Sequence, residues 1–158
     1  MNTDFSPEDR KAWMSLLAQA DETQLAALWR DFADVDAADT ARDPGFDWLR
    51  PPEAGGVMVR GRMGAVGAPF NLGEMTVTRC ALTLRDGTVG HGYVQGRSKP
   101  KAEIAAKIDA LMQTDVAADL RAAVLVPLQA KGQARKEARA AKAAATKVEF
   151  FTMVRGED

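Results

Sequence analysis

Four arginines, Arg60, Arg62, Arg79 and Arg97, bracket a stretch punctuated by Gly64, Gly67, Pro69 and Gly73, which also carries Asn71 and Glu74. Planar guanidinium forks match the oxygens of phosphate and carboxylate. Arg62, Asn71, Glu74, Arg79 and Arg97 are therefore the candidate contacts to an anionic partner, either a phosphorylated small molecule or an acidic protein face. The glycines do not make a phosphate-binding loop of the Walker kind. They lack the closing Gly-Lys-Ser/Thr and do not lead directly into a helix, whose N-terminus would supply the anion-binding amides.

Nucleophilic and metal chemistry have less to work with. His91 is the one histidine and Cys80 the one cysteine, so a Cys-His pair is the single arrangement that could activate a thiolate. Both residues fall on strands, and the reading preferred for each is a core role: a satisfied buried imidazole and an inert thiol among leucines. One His, one Cys and no helical clustering of carboxylates do not assemble a tetrahedral metal site. Basic residues are not interleaved with aromatics, which argues against a nucleic-acid platform.

These residues need strands to position them. Alternation from Met75 to Arg85 meets Asp86-Gly87, and the chain returns from Thr88 to Gln95, which predicts a hairpin with a two-residue type I′ turn. That turn pairs Arg85 with Thr88, Leu84 with Val89, Leu82 with His91 and Cys80 with Tyr93. One face then reads Cys80, Leu82, Leu84, Val89, His91 and Tyr93. The other is nearly bare, with Gly90, Gly92 and Gly96 upon it. Strand glycines mark either the close approach of another backbone, helix or ligand, or a bulged and bent strand.

With 158 residues, 46% of them hydrophobic, the chain can bury the core of one domain. The formal charge of -1 conceals a gradient. Residues 1–54 hold 5 basic and 12 acidic side chains, 55–101 hold 7 and 2, and 102–158 hold 9 and 8. The hairpin region is thus the positive part, which invites an anionic partner. A lone cysteine favours a reducing compartment, no apolar run reaches membrane-spanning length, and the start is acidic and amphipathic. A soluble, cytoplasmic protein is expected.

In chain order, Ser6-Pro7-Glu8-Asp9 starts a helix carrying Trp13, Leu16, Leu17 and Ala20, and Asp21 or Thr23 caps a second with Leu25, Leu28, Trp29 and Phe32. Residues 34–43 read as a loop. Phe46, Trp48 and Leu49 begin a strand cut off at Pro51-Pro52, a turn at 53–56 leads into Val57 to Met63, and this second hairpin is expected beside the first. Ser98 starts a helix bearing Ile104, Ala105, Ile108, Leu111 and Met112, which covers one sheet face. Asp115 caps another, with Leu120, Val124 and Leu125 inward, until Pro127 interrupts it. Residues 131–147 are Ala-rich, basic and strongly helical, without a wide apolar stripe. The last segment, with Val148, Phe150, Phe151, Met153 and Val154, reads as a strand. It either enters the chain's own sheet or docks on a partner, and the partner is preferred.

The blocks Trp13-Met14-Ser15-Leu16-Leu17-Ala18, RMGAVGAPFNLGEMTVTRCALTLRDGTVGHGYVQGR, AAKIDALMQ at 105–113 and KVEFFTMVRGED at 147–158 resemble the PhnG subunits of the bacterial carbon-phosphorus lyase system, over almost the whole chain and in the same order. Ala65 stands where a second glycine is common in that family, and Ser98 where an Asp is common. The resemblance implies a non-catalytic or accessory subunit of a complex, acting with PhnH, PhnI, PhnJ and PhnL-type partners. That complex displaces adenine from ATP by an alkylphosphonate, giving a ribose 1-alkylphosphonate 5-triphosphate. It implies no cofactor held by this subunit, ATP being a substrate of the complex, and no catalytic residue that carries over. On that footing Phe150, Phe151, Met153, Val154 and Arg155 are expected to bind the PhnI partner. Alternatively, Arg62, Asn71, Glu74, Arg79 and Arg97 complete a nucleotide or phosphonate site at the subunit boundary, and a homo-oligomer is an option for the isolated chain.

The fold class expected is α+β. An antiparallel sheet of about four strands in two hairpins is covered by helices, with an N-terminal helical hairpin and a C-terminal helix followed by a terminal strand arm. Residues 1–130 would form the core domain and 131–158 the appendage.

Overall fold

The helix starts at Ser6, Asp21 and Ser98 are used as the sequence suggests. In the computed structural model, which describes residues 5–34 and 42–146, Ser6 Oγ accepts from the Asp9 amide at 3.2 Å while the Asp9 carboxylate accepts from the Ser6 amide at 3.0 Å. This reciprocal box opens α1 (Pro7–Gln19), satisfying donors that the helix leaves unpaired. The Asp21 carboxylate accepts from Gln24 N–H at 3.0 Å and opens α2 (Glu22–Asp34). Ser98 Oγ accepts from Lys101 N–H at 3.1 Å, with Pro100 in the first turn of α3 (Lys99–Leu111).

The later helices depart from expectation. Asp115 caps nothing: α4 (Ala117–Leu120) starts after Val116 without a side-chain cap. Pro127 does not end the helical run either. It lies in the first turn of α5 (Val126–Ala145), immediately after a wide π turn over Arg121–Leu125. A π turn shifts the hydrogen-bond ladder by one residue. Proline is tolerated in a first turn because its amide would lack a helical partner there.

Between α2 and α3 lies an antiparallel sheet in the order β1-β2-β3: β1 (Phe46–Arg62), β2 (Pro69–Leu84) and β3 (Val89–Gln95). The class is α+β, as the sequence indicates, with three strands. The two short strands read on either side of Pro51-Pro52 are one strand of 17 residues. It is an edge strand, where missing proline donors are tolerated, and its register shifts between Trp48 and Arg50 and again between Arg50 and Glu53, absorbing the prolines as irregularities. β2 starts at Pro69, inside what reads from sequence as a loop.

The β2–β3 register is one residue away from the expected one. Leu84 and Thr88 close the turn, with Leu84 N–H donating to Thr88 O at 2.9 Å and Gly87 N–H to Leu84 O at 3.0 Å. Three residues therefore form the loop, with Gly87 at φ 89°, the geometry of a turn followed by a left-handed glycine. The Asp86 carboxylate fixes it by accepting from Thr88 N–H at 2.8 Å. Cys80 consequently lies opposite Gly92, and Leu82 opposite Gly90. A shift of one residue exchanges the faces of a strand, so His91 and Tyr93 are exposed rather than buried.

That shift also explains the glycines. Cys80, Leu82, Leu84 and Val94 are buried on the face that carries α3, and Gly90 and Gly92 share it. A Cβ at Gly90 would run into the Ala106 carbonyl, and one at Gly92 into the Ala102 carbonyl. Of the two readings left open by the sequence, the close approach of a helix backbone holds for these two positions. α1 and α2 complete the core with Trp13, Leu17, Leu25, Trp29 and Phe32, joined by Leu120, Val124, Leu125 and Leu128.

Two cations lock the layers. Lys101, buried, donates from Nζ to the Ala18 carbonyl at 3.0 Å, satisfying an acceptor at the end of α1. Lys107 reaches Asp43 at 3.1 Å and Glu103 at 3.4 Å, with its ammonium over the rings of Phe46 and Trp29.

Candidate functional site

The β1–β2 ribbon runs well past the core. Pairing continues from Phe46↔Leu84 to Arg62↔Pro69, whereas β3 stops at Gln95↔Val77. Beyond Thr76 the ribbon has two strands only, and nearly every residue on it is exposed or half-buried.

Sequence candidates are distributed along this ribbon rather than gathered. Arg62 lies next to the tip, opposite Pro69, with Nη1 donating to the Gly67 carbonyl at 3.0 Å. Asn71 is opposite Arg60, and Glu74 opposite Met58. The Glu74 carboxylate folds over Gly56, filling the space a side chain there would need. Arg79 is opposite Glu53, whose carboxylate it approaches at 4.0 Å while Arg50 holds the same group at 2.7 Å. These hydrogen-bonded and charged arginines hold the Glu53 carboxyl below its ordinary pKa, the Arg50 hydrogen bond contributing most. Arg97 is exposed just after β3, beyond Gly96 at φ 93°.

Strand geometry separates these side chains. Eight residues from Asn71 to Arg79 span about 26 Å at a strand rise of about 3.3 Å per residue. Glu74 projects on the face that carries α3, and Arg79 on the opposite one, because successive strand residues alternate. Arg62 and Asn71 are diagonal neighbours in the ladder near the tip. Glu74, Arg79 and Arg97 do not join them in one pocket. Phe150, Phe151, Met153, Val154 and Arg155 lie outside the described residues.

His91 and Cys80 are also separated. Cys80 Sγ donates to the Ala102 carbonyl at 3.2 Å under α3, and burial pushes its pKa from 9.0 up to about 11. His91 projects from the other face. Its backbone amide instead donates to Asp109 at 2.8 Å. No group of three or more His, Cys, Asp or Glu that could hold a metal ion occurs among the described residues.

Asp109 is the polar residue that sequence reading missed. Fully buried, its carboxylate accepts from Arg10 Nε at 3.1 Å, Arg10 Nη2, Trp13 Nε1 at 2.9 Å and the His91 amide. Four donors from α1 and β3 therefore converge on one residue of α3. The available signal was an acid next to Ile108 on the side of the helix shared with Ala105 and Met112. The carboxylate is saturated by structural donors, so it ties the layers together.

A cleft of about 630 Å³ separates α1 from the start of α5. Leu16, Leu125 and Leu128 line it together with Asp9, Arg121 and Lys131.

The family model described as "Phosphonate metabolism protein PhnG" matches residues 8–156. A curated relative from Rhizobium meliloti (strain 1021), named alpha-D-ribose 1-methylphosphonate 5-triphosphate synthase subunit PhnG, is 42% identical over 155 residues, covering 98% of this chain and 94% of the relative.

Proposed function

The chain belongs to the PhnG family of phosphonate metabolism proteins, and from that membership we propose that it is a structural and assembly subunit of an alpha-D-ribose 1-methylphosphonate 5-triphosphate synthase. In that complex an alkylphosphonate displaces adenine from ATP. The observation that carries the reading is similarity over almost the entire length to a protein named as a subunit of this synthase. The architecture supports it, since the groups with reactive potential are engaged elsewhere. Cys80 is bonded beneath α3, Asp109 is saturated by α1 and β3, and the candidate arginines are spread along a ribbon.

PhnI-, PhnH-, PhnJ- and PhnL-type subunits are the partners, and Phe150, Phe151, Met153, Val154 and Arg155 dock on the PhnI type. A terminal segment this apolar needs a surface to cover it. Residues 131–158 then act as an appendage to the core formed by 1–130. Co-expression with the other subunits, followed by purification through a tag on one of them and mass measurement, tests this. The full-length chain should co-purify at fixed stoichiometry, and removal of residues 147–158 should reduce its recovery at least tenfold. Unchanged recovery would discard the terminal dock, and absence of the full-length chain from the complex would discard the subunit role. If Arg62→Ala or Arg97→Ala lowered turnover while assembly stayed intact, those arginines would belong to a shared nucleotide or phosphonate site instead.

A further inference from the structure

The outer half of the β1–β2 ribbon is a paired structure with little beneath it, and an isolated two-stranded ribbon is marginal in water. Its two faces differ. Direct partners share a face, so Val57 and Met75 are on the side opposite α3, followed by Val59 with Gly73 and by Gly61 with Phe70. The register shift between Val59 and Arg60 leaves Leu72 as the extra residue, and a side chain at Gly61 would touch it, so Leu72 joins this face. Phe70 is 45% and Leu72 66% exposed. A continuous apolar strip therefore runs to the tip, where Met63 is 78% exposed. Arg60 and Glu74 stand on the other face.

In an inference that rests on the subunit reading above, we propose that this ribbon is an insertion arm that occupies an apolar, acid-rimmed cleft in a different, larger subunit of the complex. Area argues against a second copy as occupant. A strip about 20 Å long, from Val57 to Met63, and about 10 Å wide gives roughly 200 Å² per face, so two ribbons laid face to face would bury only about a quarter of a standard interface. A cleft that takes both faces and an edge buries several times as much. Charge argues the same way. Residues 54–76 carry Arg60 and Arg62 against Glu74 alone, and the Arg60 guanidinium has no hydrogen-bond or ion-pair partner among the described residues. Pairing two ribbons through the apolar strip would leave these arginines on the outer faces with no counter-charge from the second copy, whereas carboxylates of a cleft that encloses both faces would meet them.

The test places a photo-reactive side chain at the strip, Leu72→p-benzoylphenylalanine, in the full-length chain co-expressed with the other subunits. Irradiation of the assembled complex should give an adduct between this chain and a non-identical subunit, mapping to an apolar segment flanked by Asp or Glu. An adduct with a second copy, an adduct within the chain itself, including its residues 147–158, or no adduct in an intact complex would each overturn the proposal while leaving the subunit role standing. If the unsubstituted chain never enters the complex, both readings fall. As a second arm, Phe70→Ser with Leu72→Ser should cut co-purification at least tenfold while leaving the far-ultraviolet circular dichroism of the isolated chain unchanged. Undiminished recovery of that variant counts against the arm.

Discussion

Arg10 on α1 grips Asp109 on α3 through two guanidinium nitrogens, Nε at 3.1 Å to one carboxylate oxygen and Nη2 to the other. The pair differs from a surface ion pair in burial: Asp109 is wholly enclosed and Arg10 is 28% exposed. Ion pairs at the surface contribute little, but removing one member of a buried pair leaves the other without compensation and costs about 3–5 kcal/mol. Arg10→Met should therefore lower the unfolding free energy by about 3 kcal/mol or more, since it leaves the enclosed carboxylate with the Trp13 and His91 donors alone. Urea titration of the purified chain measures it. A loss below about 1 kcal/mol would mean that the carboxylate is solvated in solution.

The glycines on β3 make a second prediction. Alanine at Gly92 would collide with the Ala102 carbonyl and approach Cys80 Sγ at 2.7 Å. The helix must then move away from the sheet, so Gly92→Ala should cost about 1–3 kcal/mol, as overpacking does. Gly55 offers the contrast, because an added Cβ there meets nothing within 4 Å. Gly55→Ala should be neutral, or stabilising by about 0.4–1 kcal/mol through the unfolded chain. Parallel thermal melts of the two variants decide whether strand-helix spacing is what these glycines serve.

Legibility in the sequence followed the range of the interaction. Ser6, Asp21 and Ser98 announce helices through contacts made within three residues, and each helix forms where its cap implies. Trp13, Leu25 and Trp29 are buried as their spacing indicates. The Asp86-Gly87 turn shows the limit of such reading, because the same dipeptide serves loops of two or three residues and the choice reverses every side chain of β3. His91 and Tyr93 were lost to the solvent face by that single residue. Pro51-Pro52 reads as a break because sequence does not reveal which strand has a free edge. The candidate arginines are close in sequence, but extended strands turn proximity along the chain into distance. Asp109 depends on partners 18 to 99 residues away, beyond the reach of any local pattern.

Gly87 carries the turn that sets the register. Its φ of 89° lies where L-residues with a Cβ pay roughly 1–2 kcal/mol, and space is not the obstacle, since nothing stands within 4 Å of an added Cβ. Gly87→Ala should destabilise by about 1 kcal/mol, whereas Gly87→Asn should recover part of the loss because Asn tolerates this conformation better. Equal stability of the two variants in urea titration would count against a left-handed residue at this point.

Cys80 supplies a pH dependence whose sign can be worked out. Burial is the main reason its pKa rises from 9.0 to about 11, with Glu103 adding to the rise and the Gly92 amide opposing it. A raised pKa in an acid means that the folded state disfavours the thiolate. Below pH 9 both folded and unfolded chains hold the proton and the group contributes no pH dependence. Between pH 9 and about 11 the unfolded chain releases its proton while the folded one keeps it, so stability falls as pH rises through this window. A difference of two units corresponds to about 2–3 kcal/mol. The difference in unfolding free energy between the natural chain and Cys80→Ala, followed by urea titration from pH 8 to 11, isolates the effect from lysine and tyrosine ionisation. That difference should be flat to pH 9 and then shift against the natural chain by about that amount. Under native conditions at pH 8, a thiol-reactive disulfide reagent should label Cys80 at least a hundredfold more slowly than in denaturant, because the thiolate is the reactive form. Fast labelling of the folded protein, or no divergence from Cys80→Ala above pH 9, would show that α3 does not seal this thiol.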